Sequence, residues 1–333
     1  MTNALDDAAL AKAPLDSHVT LAADQAPLSP ASRWSNRKRI AGLCWATVIA
    51  ISYATWLPLA FANMVIVGWL TAVAFSMPVD VKGVTTGLRD WLLLLIFLQL
   101  YVRSRSIADT LGMPIQEQVM IDIDRVFGFG ETWIHRTQRW IDWEADPSLW
   151  ELGFPIIYLS HFIVPLSLLT YLYVRNRDRW RSYMHRWTLL SFLGLVGYVL
   201  LPTVPPWMSS DRGTVDFVHK GLERDWSVFN LGVLGDLFRF GTDATNTVAA
   251  MPSLHCAYPA LIVLFFAPGR GRIGRALLVL YALFMGFTVV ITGQHWVIDV
   301  VAGWAVAVVA HIAVGWFESR RVRVPAETTV VNS

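Results

Sequence analysis

The chain has 333 residues, of which 55% are apolar and only 16% charged, against roughly a quarter charged in an ordinary soluble domain. A net charge of +2 is too small to argue for a nucleic-acid partner. The apolar excess is gathered into long uncharged runs, which excludes an ordinary soluble globule.

Residues 1–32 lack the apolar stretch of a signal peptide and carry Asp6, Asp7, Asp16 and Asp24, so they are expected to form a disordered cytoplasmic tail. Apolar segments then follow at 40–57, 59–77, 89–103, 150–174, 186–202, 249–267, 273–292 and 296–317. Several reach or approach the roughly 20 residues needed to cross a bilayer. The first two form one uncharged stretch broken at Pro58, either a hairpin of two helices or one kinked helix. The expected fold is therefore an all-α polytopic membrane protein with about seven to eight transmembrane helices. Sixteen tryptophans fit the same class, because indoles favour the membrane interface. Cys44 and Cys256 read as packed thiols rather than a disulfide.

Basic clusters orient these segments. Arg33, Arg37, Lys38 and Arg39 precede the first span, and Arg175, Arg177, Arg179, Arg181 and Arg186 lie between the fourth and fifth. Arg270, Arg272 and Arg275 fill the next short turn, and Arg320, Arg321 and Arg323 follow the last span. The positive-inside rule places all four clusters, and both termini, in the cytoplasm. The expected regions are N-terminal transmembrane helices at 33–103, an extracytoplasmic interfacial segment at 104–149, a catalytic membrane core at 150–319 and a cytoplasmic tail at 320–333. The segment 104–149 mixes Trp133, Trp140 and Trp143 with charges, as an amphipathic helix lying at the interface would.

Two short sequences carry chemistry. In Thr-Gly-Gln-His-Trp-Val-Ile-Asp at 292–299, His295 and Asp299 stand at i and i+4 on one helix face. A carboxylate so placed fixes the imidazole tautomer and leaves the other ring nitrogen as a nucleophile. In Met-Pro-Ser-Leu-His at 251–255, Pro252 and Ser253 read as a helix start whose backbone N–H groups suit a phosphate. Ser253 adds a hydroxyl, and His255 sits in the first turn, positioned to give or take a proton. One intervening span returns the chain, so topology brings His255 and His295 to the same membrane face.

The Pro-Ser-x-x-His-like signature, followed some forty residues later by His-x-x-x-Asp, resembles the type-2 phosphatidic acid phosphatase superfamily. The compact Pro-Ser-Leu-His form, Pro-Thr-Val-Pro-Pro-Trp at 202–207, Thr-Gly-Gln-His at 292–295 and Tyr-Leu-Ser-His-Phe at 158–162 resemble its inositol phosphorylceramide synthase-like branch. The resemblance covers about 150–317. It implies a six-helix phosphatase-like core and a phosphohistidine mechanism without metal or other cofactor. His295 would attack phosphorus, Asp299 would orient it, and His255 would protonate the leaving oxygen. Ser253, Arg239, Gln294, His161 and Tyr158 would contact the substrate. The implied partners are a membrane lipid donor and a polyol or lipid acceptor, in a bacterial inner membrane with the active site extracytoplasmic.

Two features of the superfamily are missing: the motif of Lys followed at seven residues by Arg-Pro, and the Arg six residues before the nucleophilic His, where Val289 stands. Arg239, Arg212, Lys220 and Arg224 are the candidate replacement cations. A phosphodiester needs fewer of them than a monoester, so transfer of a phospho-headgroup is expected ahead of hydrolysis of a diacyl or polyprenyl phosphate. Rival classes are a metalloenzyme built on the two histidines and the carboxylate, and a lipid transporter using them as a proton relay.

Overall fold

The computed structural model describes residues 89–91, 96, 113–222, 224, 248 and 250–322. The expected spans at 40–57 and 59–77, most of that at 89–103, Arg239, the tail at 1–32 and residues 323–333 of the other tail lie outside the described residues. The described residues are helical apart from turns and one isolated parallel bridge, Gln116 to Thr203.

Eight α-helices follow in order: α1 Gln118–Phe127, α2 Trp133–Gln138, α3 Gly153–Arg175, α4 Arg177–Leu200, α5 Pro206–Asp211, α6 Leu254–Phe266, α7 Arg272–Ile291 and α8 Val297–Val322. Helices α3, α7 and α8 are long and apolar enough to cross a membrane, as expected for 150–174, 273–292 and 296–317. Helix α4 starts well before the apolar run at 186. Asn176 ends α3 and caps α4, its side chain accepting a hydrogen bond from the Arg179 N–H at 2.9 Å. An Asn cap satisfies one of the helix's orphan donors, so the basic turn becomes the first turns of a helix rather than a loop.

Helix α6 is the hub, packed against α8, α7, α4 and α3. It crosses α8 at Gly303, where a β-carbon would lie 2.3 Å from the Ser253 carbonyl oxygen. Glycine is what lets these two backbones touch. The lower core is a cluster of Leu169, Trp180, Tyr183, Trp187, Leu190, Leu261 and Ala307. A second cluster of Tyr158, Cys256, Met285, Val289 and Val300 lies under the histidines, with Cys256 buried as a free thiol. On the outer faces, Ile273, Leu277, Leu280 and Leu283 of α7 and Val308, Val309 and Ile312 of α8 are exposed. Such stripes fit a surface whose solvent is lipid.

The two ends of the bundle differ. At one end, Arg177 pairs with Asp90 and lies 3.7 Å over the Tyr173 ring, while Trp91 packs edge-on against Trp180. Residues 89–91 thus sit beside the basic turn at 175–181, as the expected start of the third span requires. The opposite end is closed by α1, α2 and α5, which form a cap over the turns leading into α6 and α8. Within α1, Met120, Ile121 and Asp124 are buried while Val119, Val126 and Phe127 are exposed.

Candidate active site

His295 stands in the turn between α7 and α8. The turn is built on Gly293, whose φ of 78° lies where an L side chain is strained. It folds back so that the N–H groups of Gln294 and His295 both donate to the Val289 carbonyl, at 2.9 and 3.0 Å. The Val289 side chain, at the position of the superfamily arginine, is fully buried in the apolar cluster beneath. Three further bonds hold the turn from outside: Trp207 N–H to the Gly293 carbonyl at 3.2 Å, Gln138 Nε2 to the Ile291 carbonyl at 2.9 Å, and Trp296 Nε1 to the Val204 carbonyl at 2.7 Å. The Pro-Pro-Trp segment therefore braces the turn that carries His295.

The three residues expected to carry the chemistry come together in a line. His255 Nδ1 is 3.4 Å from His295 Nε2, and His295 Nδ1 is 3.4 Å from Asp299 Oδ2. Asp299 is 0% exposed, and the same Oδ2 accepts the Trp296 N–H at 3.0 Å. With Nδ1–H donating to that carboxylate, the lone pair lies on Nε2, the atom that faces His255. The contacts are longer than a tight hydrogen bond, as apo catalytic contacts often are.

Helix α3 supplies the wall behind His255. The His161 ring centroid is 4.2 Å and the Tyr158 centroid 4.5 Å from the His255 ring. Both are almost fully buried, so the packing fixes the plane of the imidazole rather than merely brushing it. Ser253 immediately precedes α6, at the helix start read in the sequence. Its N–H donates to the Asp299 carbonyl at 2.9 Å, and its hydroxyl is fully buried without a hydrogen-bond partner among the described residues. It straps α6 to α8. Gln294 is half-buried in the turn, its amide 3.5 Å from the Thr292 carbonyl.

Of the four candidate cations, Arg239 lies outside the described residues and the other three are committed to carboxylates of the cap. Arg212 pairs with Glu117 at 3.3 Å, Lys220 with Asp211 at 2.9 Å, and Arg224 with Glu151 at 2.9 Å. Arg224 also donates to the Asp142 and Ala145 carbonyls. Among the described residues no group of three or more His, Cys, Asp and Glu side chains is arranged to hold a metal ion.

Sequence reasoning missed two supports. Gln138, nearly fully buried, bridges the end of α7 to the cap segment by donating to the Ile291 and His219 carbonyls and accepting the His219 N–H at 2.9 Å. Asp124, 1% exposed, accepts the N–H of Trp133 at 2.7 Å and of Val297 at 3.0 Å. Neither stands in a motif, and their partners are backbone groups up to 173 residues away.

Comparisons with known proteins identify the family. The profile of the PAP2 superfamily matches residues 119–313, more than half of the chain. The phosphoinositol dihydroceramide synthase of Bacteroides thetaiotaomicron is 26% identical over 170 residues. That match covers 48% of this chain and 52% of the relative, so the chain spans about half the length of the protein it matches. The crystal structure of Aquifex aeolicus LpxE is 17% identical, covers 52% of this chain and 89% of its own, and superposes with a TM-score of 0.40. The family match and the buried His–His–Asp line together close the assignment: the chain belongs to the PAP2 superfamily.

Proposed function

We propose that this protein is an integral-membrane lipid phosphotransferase that works through a phosphohistidine at His295, without a metal, moving a phospho-headgroup of the inositol phosphate kind between lipids. The observation that carries the reading is the line Asp299–His295–His255. Asp299 holds the tautomer that leaves Nε2 nucleophilic, and the neighbouring His255 is within reach of the leaving oxygen. Nε2 forms the bond to phosphorus as the ester bond to the donor lipid breaks, and His255 gives its proton to the departing oxygen. His255, now neutral, takes the proton of an acceptor alcohol. The alcohol's oxygen then bonds phosphorus, and the N–P bond breaks with its electron pair returning to His295.

The charge balance supports a diester donor. Val289 replaces the superfamily arginine, and Arg212, Lys220 and Arg224 are already paired with carboxylates. A phosphodiester brings one negative charge where a monoester brings up to two, so a cation-poor site suits it better. The name of the Bacteroides relative points the same way. The basic clusters support an extracytoplasmic site with both termini inside, since the histidines stand at the end of the bundle remote from Arg177 and Arg186.

The test is turnover by purified protein in lipid nanodiscs given a phosphoinositide diester, a diacyl phosphate and a polyprenyl phosphate, with and without a strong chelator. Transfer from the diester, unchanged by the chelator, is expected. His295→Ala in inserted, folded protein is expected to lose at least about 10³-fold in kcat. Retained turnover in that variant excludes His295 as nucleophile. Preferential release of inorganic phosphate from the diacyl phosphate would make the protein a monoester phosphatase instead.

A further inference from the structure

The site has a second buried carboxylate that the chemistry above does not use. Asp124 lies on α1, in the cap, and its two oxygens serve two different helices. Oδ2 accepts the Trp133 N–H, the first residue of α2, and Oδ1 accepts the Val297 N–H, the first residue of α8. Helix starts present orphan N–H groups and a positive dipole end, so one carboxylate placed between two of them is held by both. Neither helix supplies this cap itself. Thr132 precedes α2 and is a cap residue by type, but its hydroxyl bonds the His135 ring and makes no cap bond. At α8 the residue before the helix is Trp296, whose N–H is taken by Asp299.

The consequence for the nucleophile is geometric. The consecutive N–H groups of Trp296 and Val297 go to the consecutive supports Asp299 and Asp124, and His295 is the residue immediately before them. Trp296 is itself locked in a cluster with Met120 and Ile121 of α1 and Ile134 of α2. The peptide leaving His295 is therefore held by α8's own carboxylate, and the next peptide, the first of α8, by the cap's. We infer that Asp124 is a positioning residue for the phosphoryl-transfer step, fixing the direction of the His295 ring by holding the first peptide of α8 against the cap. The inference rests on the reading of His295 as nucleophile.

Asp124 also contributes charge. Burial pushes its carboxyl above the usual range, the two backbone donors oppose this, Asp299 on α8 adds to the rise and His135 on α2 counters it. When ionised it adds negative charge beside the start of α8, and such a charge favours the cationic form of an imidazole that it faces. A purely mechanical support would not do this.

Asp124→Asn, nearly isosteric, keeps one acceptor oxygen and loses the charge. Asp124→Glu keeps the charge and displaces it. Both are measured beside wild type and His295→Ala in the same membrane preparation, with the phosphoinositide diester as donor. Asp124→Asn is expected to lower kcat by about 10- to 100-fold with KM little changed, and to move the acid limb of the kcat profile to lower pH. Asp124→Glu is expected to lower kcat while leaving that limb in place. Wild-type kcat and limb in Asp124→Asn overturn the inference. So does a fall in kcat matched by lost folded protein with no movement of the limb. Activity surviving in His295→Ala overturns the reading beneath it, whatever Asp124 does.

Discussion

The two ends of the helix bundle both bury charge, and they do so in opposite ways. At the basic end, Arg186 donates to Glu318 at 2.9 Å and to the Ser182 carbonyl at 2.9 Å, joining α4 to α8 by side-chain ionic bonds. At the other end, Asp299 and Asp124 are more deeply buried, yet among the described residues neither has a lysine or arginine partner. Backbone N–H groups and imidazoles hold them instead. A carboxylate paired with arginine is neutralised and inert. One held by fixed peptide dipoles keeps its charge available to polarise a histidine. The first arrangement locks helices together, and the second sets a carboxylate beside an imidazole.

The widest break in this contrast is expected from Asp299→Asn. The amide donates where the carboxylate accepted, so the His295 proton shifts to Nε2 and the nucleophilic lone pair is lost. Transfer should fall by about 10³- to 10⁴-fold in kcat while the protein still inserts and folds. A fall of only a few-fold would return the pair to a structural role. Next is Gly303→Ala, which touches no substrate. Its new methyl group meets the Ser253 carbonyl and pushes α6 from α8, separating His255 from His295. A displacement of this order costs about 10²-fold in kcat and about 1–3 kcal/mol in stability, readable by turnover and by thermal unfolding in the same detergent.

Arg186→Leu tests the inert end. It should lower stability by about 1–3 kcal/mol, because Glu318 and Ser182 lose their partner, while kcat and its pH profile stay as in wild type. A shifted profile would show that the two ends are coupled through α8. The smallest effect belongs to His219, which stacks on Trp143 at 4.4 Å in the cap. Burial, reinforced by Arg224 and opposed by Glu144, holds its imidazole below the ordinary value. The folded protein then binds fewer protons than the unfolded chain between the lowered pKa and that ordinary value. Stability therefore rises with pH across this window and is reduced below it. A slight loss of thermal stability is expected between about pH 7.5 and about pH 5.5, absent in His219→Phe, which keeps the stack.

The sequence by itself determined the class of the molecule and pointed to the candidate groups that the fold brings together. Long uncharged runs can be satisfied only as helices in lipid, which sets α3, α7 and α8 without reference to the rest of the chain. A His four residues before an Asp of the first helical turn lies within reach of it, so the pair His295–Asp299 was legible locally. His295 nevertheless stands in the turn before α8 and not on the helix face that the spacing suggested. Its meeting with His255 followed from topology alone. The tertiary structure decided what depended on distant backbone. It tied the Ser253 N–H to the Asp299 carbonyl, paired three candidate cations with carboxylates of the cap, and set His161 and Tyr158 against His255. It also brought Asp124 to the first peptide of α8. These partners are carbonyls and N–H groups, present at nearly every residue and invisible in a sequence, so only the packing of the cap on the bundle could select among them.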